Sequence, residues 1–266
     1  MDQPSTPPLA LVTGASSGIG LALARQFAEH GYDLVIAAED AAIHDAAESL
    51  RTGGRRVEAV QVDLARADGA DRLWARARAL GRPVDAVAIN AGVAVNGLFA
   101  ETDLAAEVTL IELNVTSSVR LAKRAVQEMA ARGAGRILIT SSIAAEAPGP
   151  YTAIYSASKA FLLSFGEAIR HELKDRGVTV TVLQPGATDT HIIARSGMED
   201  TKLGAGPKLG ADAVARAGFE ALMAGKDHVV AASLREKVMV AAAPFAPDTV
   251  AAAAQAQLTK PGGADA

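Results

Sequence analysis

The sequence predicts an α/β fold: a doubly wound, parallel seven-stranded sheet with helices on both faces. Three observations predict it. Seven short runs rich in Val, Ile and Leu recur along the 266 residues, the stretches between them carry apolar residues at helical spacing, and a glycine-rich turn joins the first run to the first helix. Strands and helices alternating in this way build right-handed βαβ units, and strands covered on both sides by helices lack a polar alternate face.

Taken in order, residues 1–8 are polar and proline-rich and read as a short disordered arm. Strands are expected at 9–13, 33–38, 57–62, 84–90, 135–141, 178–183 and 228–231. Helical spacing is clearest in Leu21, Leu23, Phe27 and Ala28 and in Leu73, Ala77 and Leu80. Two helices, about 105–132 and about 151–176, are longer and apolar over a wide arc, which suits core burial and also a subunit interface. Residues 9–232 make one domain, within which 188–210, with several glycines and no clear period, reads as a mobile substrate lid. Residues 233–258 are alanine-rich and broken by Lys237, Pro244 and Pro247. This helical extension either closes a neighbour's active site or covers the sheet edge. The small, polar stretch 259–266 is expected to be a disordered tail.

The formal charge is −4 with the basic residues scattered, so no electrostatic footprint for nucleic acid or for an anionic membrane is present. Neither partner is expected. Cysteine is absent, which excludes disulfides, thiolate metal sites and a cysteine nucleophile and fits a reducing cytosol. No secretion-signal pattern and no apolar run of about 18 residues occurs, so a soluble, cytoplasmic protein is expected. His30, His44, His171, His191 and His228 show no metal-ligand spacing, and no metal site is expected. His191, at the start of the lid, is the one placed to touch a substrate.

The run Thr13, Gly14, Ala15, Ser16, Ser17, Gly18, Ile19, Gly20 lies between the first strand and first helix, the context a phosphate site needs. Gly14 can take the tight turn, Gly18 lets a pyrophosphate approach the backbone, and Gly20 permits close helix-to-sheet packing, while the helix amides attract the anion. Glu39 ends the second strand, 19 residues after Gly20, where an acidic side chain can accept bonds from an adenosine ribose and would repel a 2′-phosphate. Asp63 and Leu64 follow the third strand, beside the adenine. Asn90, Ala91 and Gly92 follow the fourth, where small residues let the backbone meet a dinucleotide. All four segments lie at carboxyl strand ends, which form the ligand crevice of a doubly wound sheet.

Tyr155 and Lys159 are four residues apart in a helical segment and project from one face. A cation beside a phenol favours the phenolate, and lowering its pKa by about 3 units needs roughly 4 kcal/mol. Ser142, 13 residues before Tyr155, follows the fifth strand and can reach the same crevice as a donor to a carbonyl. A tyrosine and a lysine at this spacing are common on surface helices, so the pair gains weight only from its company.

With that company, the chain resembles the short-chain dehydrogenases/reductases over about residues 8–232. Thr13 to Gly20, with three residues between the first two glycines, matches that family's cofactor turn, and Asn90-Ala91-Gly92, Asn114, Ser142, Tyr155-Ser156-Ala157-Ser158-Lys159 and Pro185-Gly186 follow in its order. The resemblance implies a Rossmann-type fold, a nicotinamide cofactor and an oxidoreductase moving a hydride between that cofactor and an alcohol or ketone. It implies Tyr155 as general acid and base, Ser142 holding the substrate oxygen, Lys159 on the nicotinamide ribose, and Asn114 positioning a water that links Lys159 to solvent. Backbone groups after Pro185-Gly186, with Thr188 or Thr190, would fix the carboxamide. It further implies a homodimer or homotetramer through the two long helices. Tyr151 is a decoy, because Tyr155 and not a lysine stands four residues on.

The family's cofactor-selecting positions are not intact: Ser17 and Glu39 stand where NADP-preferring members carry Arg or Lys, and Ala38 where NAD-preferring ones carry Asp. Acidic Glu39 tilts the expectation toward NAD, with Arg66 the nearby base that would rescue a 2′-phosphate. Ala94, Val95, Ile143, Ala144 and Ala147 suggest a pocket for a small uncharged alcohol or ketone. A cofactor-sensing scaffold that lost turnover would normally break Ser142, Tyr155 or Lys159. A sugar-nucleotide epimerase or dehydratase would have a two-residue glycine gap and a larger C-terminal domain.

Overall fold

Alternate residues of the central strands feed two different cores. Leu9, Leu11, Val35 and Ala37 pack with Leu73, Trp74, Leu121 and Met129, whereas Ala10, Val12, Leu34 and Ile36 pack with Leu23, Phe27 and Phe219. This is the period-two alternation of a pleated sheet covered on both faces. Phe27 anchors the second core, meeting Tyr32 and Phe219 edge-on with ring centroids 5.2 Å apart in each pair.

The structure is a computed structural model and describes residues 6–51 and 54–264. The chain runs β1 (Leu9–Thr13), α1 (Gly18–Glu29), β2 (Asp33–Ala38), α2 (Ala42–Leu50), β3 (Val57–Gln61), α3 (Gly69–Arg78) and β4 (Ala86–Ile89). It continues through α4 (Leu104–Ile111), a π-helical turn (Glu112–Ser117), α5 (Ser118–Arg132), β5 (Gly135–Thr140), a 3-10 turn (Ile143–Glu146), α6 (Ala153–Leu173) and β6 (Val178–Pro185). The rest is β7 (Thr188–Asp189), α7 (His191–Arg195), α8 (Lys202–Ala205), β8 (Leu209–Gly210), α9 (Ala211–Met223), β9 (His228–Ala231), α10 (Leu234–Ala242), a second 3-10 turn (Ala243–Phe245) and α11 (Asp248–Thr259). Among the described residues, no helix is long and apolar enough to cross a membrane.

The seven expected strands form one parallel sheet in the order β3-β2-β1-β4-β5-β6-β9. The winding direction reverses between β1 and β4, which opens a crevice at their carboxyl ends. The glycine turn and Asn90 stand at that point.

Three segments differ from expectation. Thr6 to Pro8 are tied down, for Arg82 donates to Pro7 O at 2.8 Å and Asp33 N to Pro8 O at 2.9 Å, while residues 1–5 of the expected arm lie outside the described residues. The tail is docked as far as Ala264: Gly262 N donates to Asp200 Oδ2 and Ala264 N to Asp200 O, each at 2.9 Å, with residues 265–266 outside the described ones. Small side chains leave the tail backbone free to bond, a possibility that composition does not signal. The segment 188–210 carries regular structure, two short helices and the paired strands β7 and β8.

Candidate active site

The glycine turn is shaped by sterics. Gly14 and Gly18 have φ of 66° and 56°, left-handed values that side chains disfavour. A Cβ on Gly20 would lie 2.1 Å from Gly14 O and 2.6 Å from Asn90 Nδ2. Nothing larger than hydrogen fits there. Thr13 ties the turn to the neighbouring strand end, its Oγ1 accepting from Asn90 N (2.9 Å) and Ala91 N (3.0 Å) and its carbonyl from Asn90 Nδ2 (3.1 Å).

Beside this turn lies a cavity of about 660 Å³. Gly14, Ser16, Ser17, Gly18, Ile19 and Gly20 line it, as do Glu39, Asp63, Leu64, Asn90, Ala91 and Gly92. So do Ser142, Tyr155, Lys159, Pro185, Gly186, Thr188 and Thr190. Asn114, fully buried, stands behind the lining. Of the expected pocket residues, Ala94, Ile143, Ala144, Ala147 and His191 reach the cavity. Val95 does not line it, and Arg66 points elsewhere, toward Asp68 at 3.9 Å.

At the adenosine end, the acidic residue fixed by the fold is Asp40. Ser16 Oγ donates to Asp40 Oδ2 at 3.0 Å, Arg195 of α7 lies 4.0 Å from the same oxygen, and Asp40 Oδ1 is buried without a partner. Glu39, by contrast, has an exposed side chain, and only its carbonyl is engaged, by Gln61. The glycine cradle that a Cβ would fill, together with an unpartnered carboxylate oxygen at the end of β2, fits an adenosine dinucleotide.

At the other end, α6 presents Tyr155 and Lys159 on one face, with Lys159 Nζ 5.7 Å from the Tyr155 ring centroid. Lys159 donates to Thr140 O at 3.0 Å, and burial lowers its pKa to about 8. Burial pushes the Tyr155 phenol up from its ordinary value, and a hydrogen bond with Ser142 opposes this. The expected depression of the phenol by Lys159 is therefore absent from the protein's own groups: loss of water outweighs the Ser142 hydrogen bond. Ser142, extended at φ −168°, caps the following turn by accepting from Ala144 N at 3.1 Å.

Asn114 sits in the π-helical turn, a local widening that often marks functional helices. Its Oδ1 accepts from Val93 N (2.9 Å), and its Nδ2 donates to Val93 O (2.9 Å) and Ser158 Oγ (3.1 Å). Both amide protons are thus committed to the strand end and to α6. A Cβ on Gly92 would lie 3.1 Å from Asn114 Oδ1, a tight contact, and 3.5 Å from Lys159 Nζ, so Gly92 lies against both groups. Tyr151 stays out of the cavity lining. Its backbone is left-handed at φ 63°, and its carbonyl accepts from Gly97 N and Asn96 Nδ2.

Two contributions escaped the sequence reading. Glu236 of α10 accepts from Ala187 N at 2.9 Å through Oε1 and from Ser233 N at 2.8 Å through Oε2, clasping the turn after Pro185-Gly186. A Cβ on Gly186 would meet that carboxylate at 2.6 Å. The extension, moreover, lines this chain's own cavity through Met239, Val240, Val250 and Leu258, an outcome that neither expected role had included. The Ser-x-x-Glu capping pattern at 233–236 marks the helix start but not the partner 49 residues away.

A family model described as short chain dehydrogenase matches residues 8–200. A 3-oxoacyl-[acyl-carrier-protein] reductase of Synechocystis sp. is 36% identical over 189 residues, covering 69% of this chain and 76% of that protein. The ketoacyl reductase HetN of Nostoc sp. is 30% identical over 201 residues, covering 75% of this chain and 68% of that protein. Among solved structures, a short-chain dehydrogenase from Sphingobium yanoikuyae in complex with NADPH superposes with a TM-score of 0.80 at 31% identity, covering 90% of this chain and 94% of that one. A short-chain dehydrogenase/reductase from Burkholderia phymatum in complex with NAD gives 0.80 at 25% identity, covering 88% and 92%. Together with the parallel sheet and the ordered motifs, these place the chain in the short-chain dehydrogenase/reductase family of oxidoreductases.

Proposed function

We propose that this chain is an NAD-preferring oxidoreductase that converts an uncharged alcohol and its ketone, with Tyr155 as the general acid and base. The observation that carries the reading is that Ser142, Tyr155, buried Lys159 and the glycine cradle share one cavity. The nicotinamide, when bound, supplies or accepts the hydride. The protein supplies the proton and the orientation.

In the reductive direction, Ser142 donates a hydrogen bond to the carbonyl oxygen and Tyr155 passes its proton to that oxygen as the carbon gains hydride. A phenol held above its ordinary pKa by burial is protonated at neutral pH, as a donor must be. Lys159, with a pKa near 8, can give and regain a proton close to neutrality and so restore the phenol. The remaining lone pairs of Asn114 are the acceptors available to a relay water. Gly14, Ser16 to Gly20, Asp63, Leu64 and Asn90 to Gly92 would hold the adenosine and phosphate portions, and Pro185, Gly186, Thr188 and Thr190 the carboxamide end.

The preference for NAD rests on Glu39 and Asp40, two carboxylates that would meet a 2′-phosphate with like charge. Arg195 is the base whose approach opposes that preference. Titration by quenching of protein fluorescence is expected to give tighter binding of NADH than of NADPH, and the reverse order would overturn the assignment. Turnover is tested by following reduced-cofactor absorbance over a panel of ketones and alcohols with both cofactors. Self-association as a homodimer or homotetramer is supported by exposed Leu104, Val108 and Ile111 on α4 and Phe161 on α6.

A further inference from the structure

We infer that the substrate is an extended, apolar carbonyl compound or alcohol whose unreactive part lies along the C-terminal extension. The inference rests on the oxidoreductase reading for the reacting end of the molecule and adds the class of the rest. Tyr155 belongs to a small apolar cluster separate from the two sheet cores, formed by Ala94, Ile193 and Met198 with Ile192 and Leu203 packed against it. The wall beyond the phenol is therefore the apolar side of the lid. α10 and α11, the latter packed against α8 of the lid, bring Met239, Val240, Val250 and Leu258 to the same cavity.

Those apolar side chains are not what fastens the extension. No residue of α10 is buried, and Thr259 is the one buried residue of α11. Polar anchors hold the segment: Glu236 accepts from Ala187 N, Thr259 Oγ1 donates to Pro150 O at 2.8 Å, Asn96 Nδ2 donates to Thr259 O at 2.8 Å, and Asp200 receives Gly262 N and Ala264 N. Fixed in this way, the extension holds out to the cavity an apolar surface that the chain itself leaves partly wet, with Met239 40% and Val250 59% exposed. A ligand running from Tyr155 to Val250 would remove that surface from water, and flexible Met239 could adapt to its outline. Of the charged side chains in the lining, Glu146 is engaged by Gln184, Glu236 by Ala187 N, and Arg195 reaches toward Asp40, while Lys202 and Arg235 are exposed to solvent.

The test uses methyl ketones from butanone to dodecanone. kcat/KM with saturating NADH is measured for each, alongside the affinity of each ketone for the Tyr155→Phe protein with NADH bound, read by nicotinamide fluorescence. Both quantities are expected to rise by about fourfold per added methylene until the chamber is filled. Turnover with a flat or falling profile overturns the inference and leaves the oxidoreductase reading intact. A rising affinity without turnover supports the inference and counts against the chemistry assigned to Tyr155. No affinity gradient and no turnover overturns both. Val250→Asp introduces a charge at an exposed position in the first turn of α11, where the helix dipole favours it and folding is preserved. It is expected to lower kcat/KM for dodecanone at least about tenfold more than for butanone. An equal effect on both ketones would refute the path along the extension.

Discussion

At Lys159, burial strips water from an ammonium whose hydrogen bond goes to a neutral carbonyl, Thr140 O, so the pKa falls from 10.5 to about 8. The unfolded chain keeps this proton up to about 10.5 whereas the folded chain sheds it near 8. Below about pH 8 the buried charge therefore costs stability, and the cost diminishes as pH rises from 8 toward 10.5, by at most about 1.4 kcal/mol per pH unit. Urea unfolding of wild type and Lys159→Met, compared from neutral pH to about pH 10, should show the wild type gaining on the variant across this window. A difference that does not change with pH would contradict the burial argument. The same desolvation acts on Tyr155 with the opposite sign, because there the charged form is the deprotonated one, which is why the phenol rises while the amine falls.

Two elements control how the cofactor and the extension are seated. The turn into α1 admits no Cβ at Gly20, since its nearest neighbour would be the Gly14 carbonyl, which cannot swing away as a flexible side chain can. Gly20→Ala is therefore expected to destabilise the fold by about 3 kcal/mol and to weaken NADH binding at least about tenfold, as measured by chemical denaturation and fluorescence titration. At the start of α10, Glu236 closes a capping box with Ser233 and also accepts from Ala187 N. Glu236→Ala should cost about 1 to 2 kcal/mol in denaturation, while Glu236→Gln, which keeps one acceptor oxygen but turns an NH2 group toward the other N–H donor, should recover part of that loss. Equal losses in the two variants would contradict a role for a single retained acceptor in holding the turn.

For the whole molecule, the sheet and the residues gathered in the cavity were legible because their signals are local: alternating apolar runs, glycines that must approach a backbone, and a tyrosine and lysine one helical turn apart. What escaped lies in contacts between distant residues. Arg195 meets Asp40 and Glu236 meets Ala187 through the folded chain, and no periodicity in either segment announces its partner. The docking of the tail on Asp200 is invisible for the same reason, as small residues bond through their backbone. The direction of the Tyr155 shift depends on burial, which the four-residue spacing does not encode. At the scale of assembly, Leu104 is 72% exposed and shares α4 with exposed Val108 and Ile111, an apolar surface suited to a second copy. Light scattering at micromolar concentration should give a dimer or tetramer mass, and a monomer would refute an interface on these helices. The central claim, that the cavity of this chain is a hydride-transfer site with Tyr155 as its proton donor, is tested most directly by Tyr155→Phe. The variant is expected to bind NADH with nearly wild-type affinity and to lose ketone turnover by at least about a hundredfold; wild-type turnover in that variant would contradict the account.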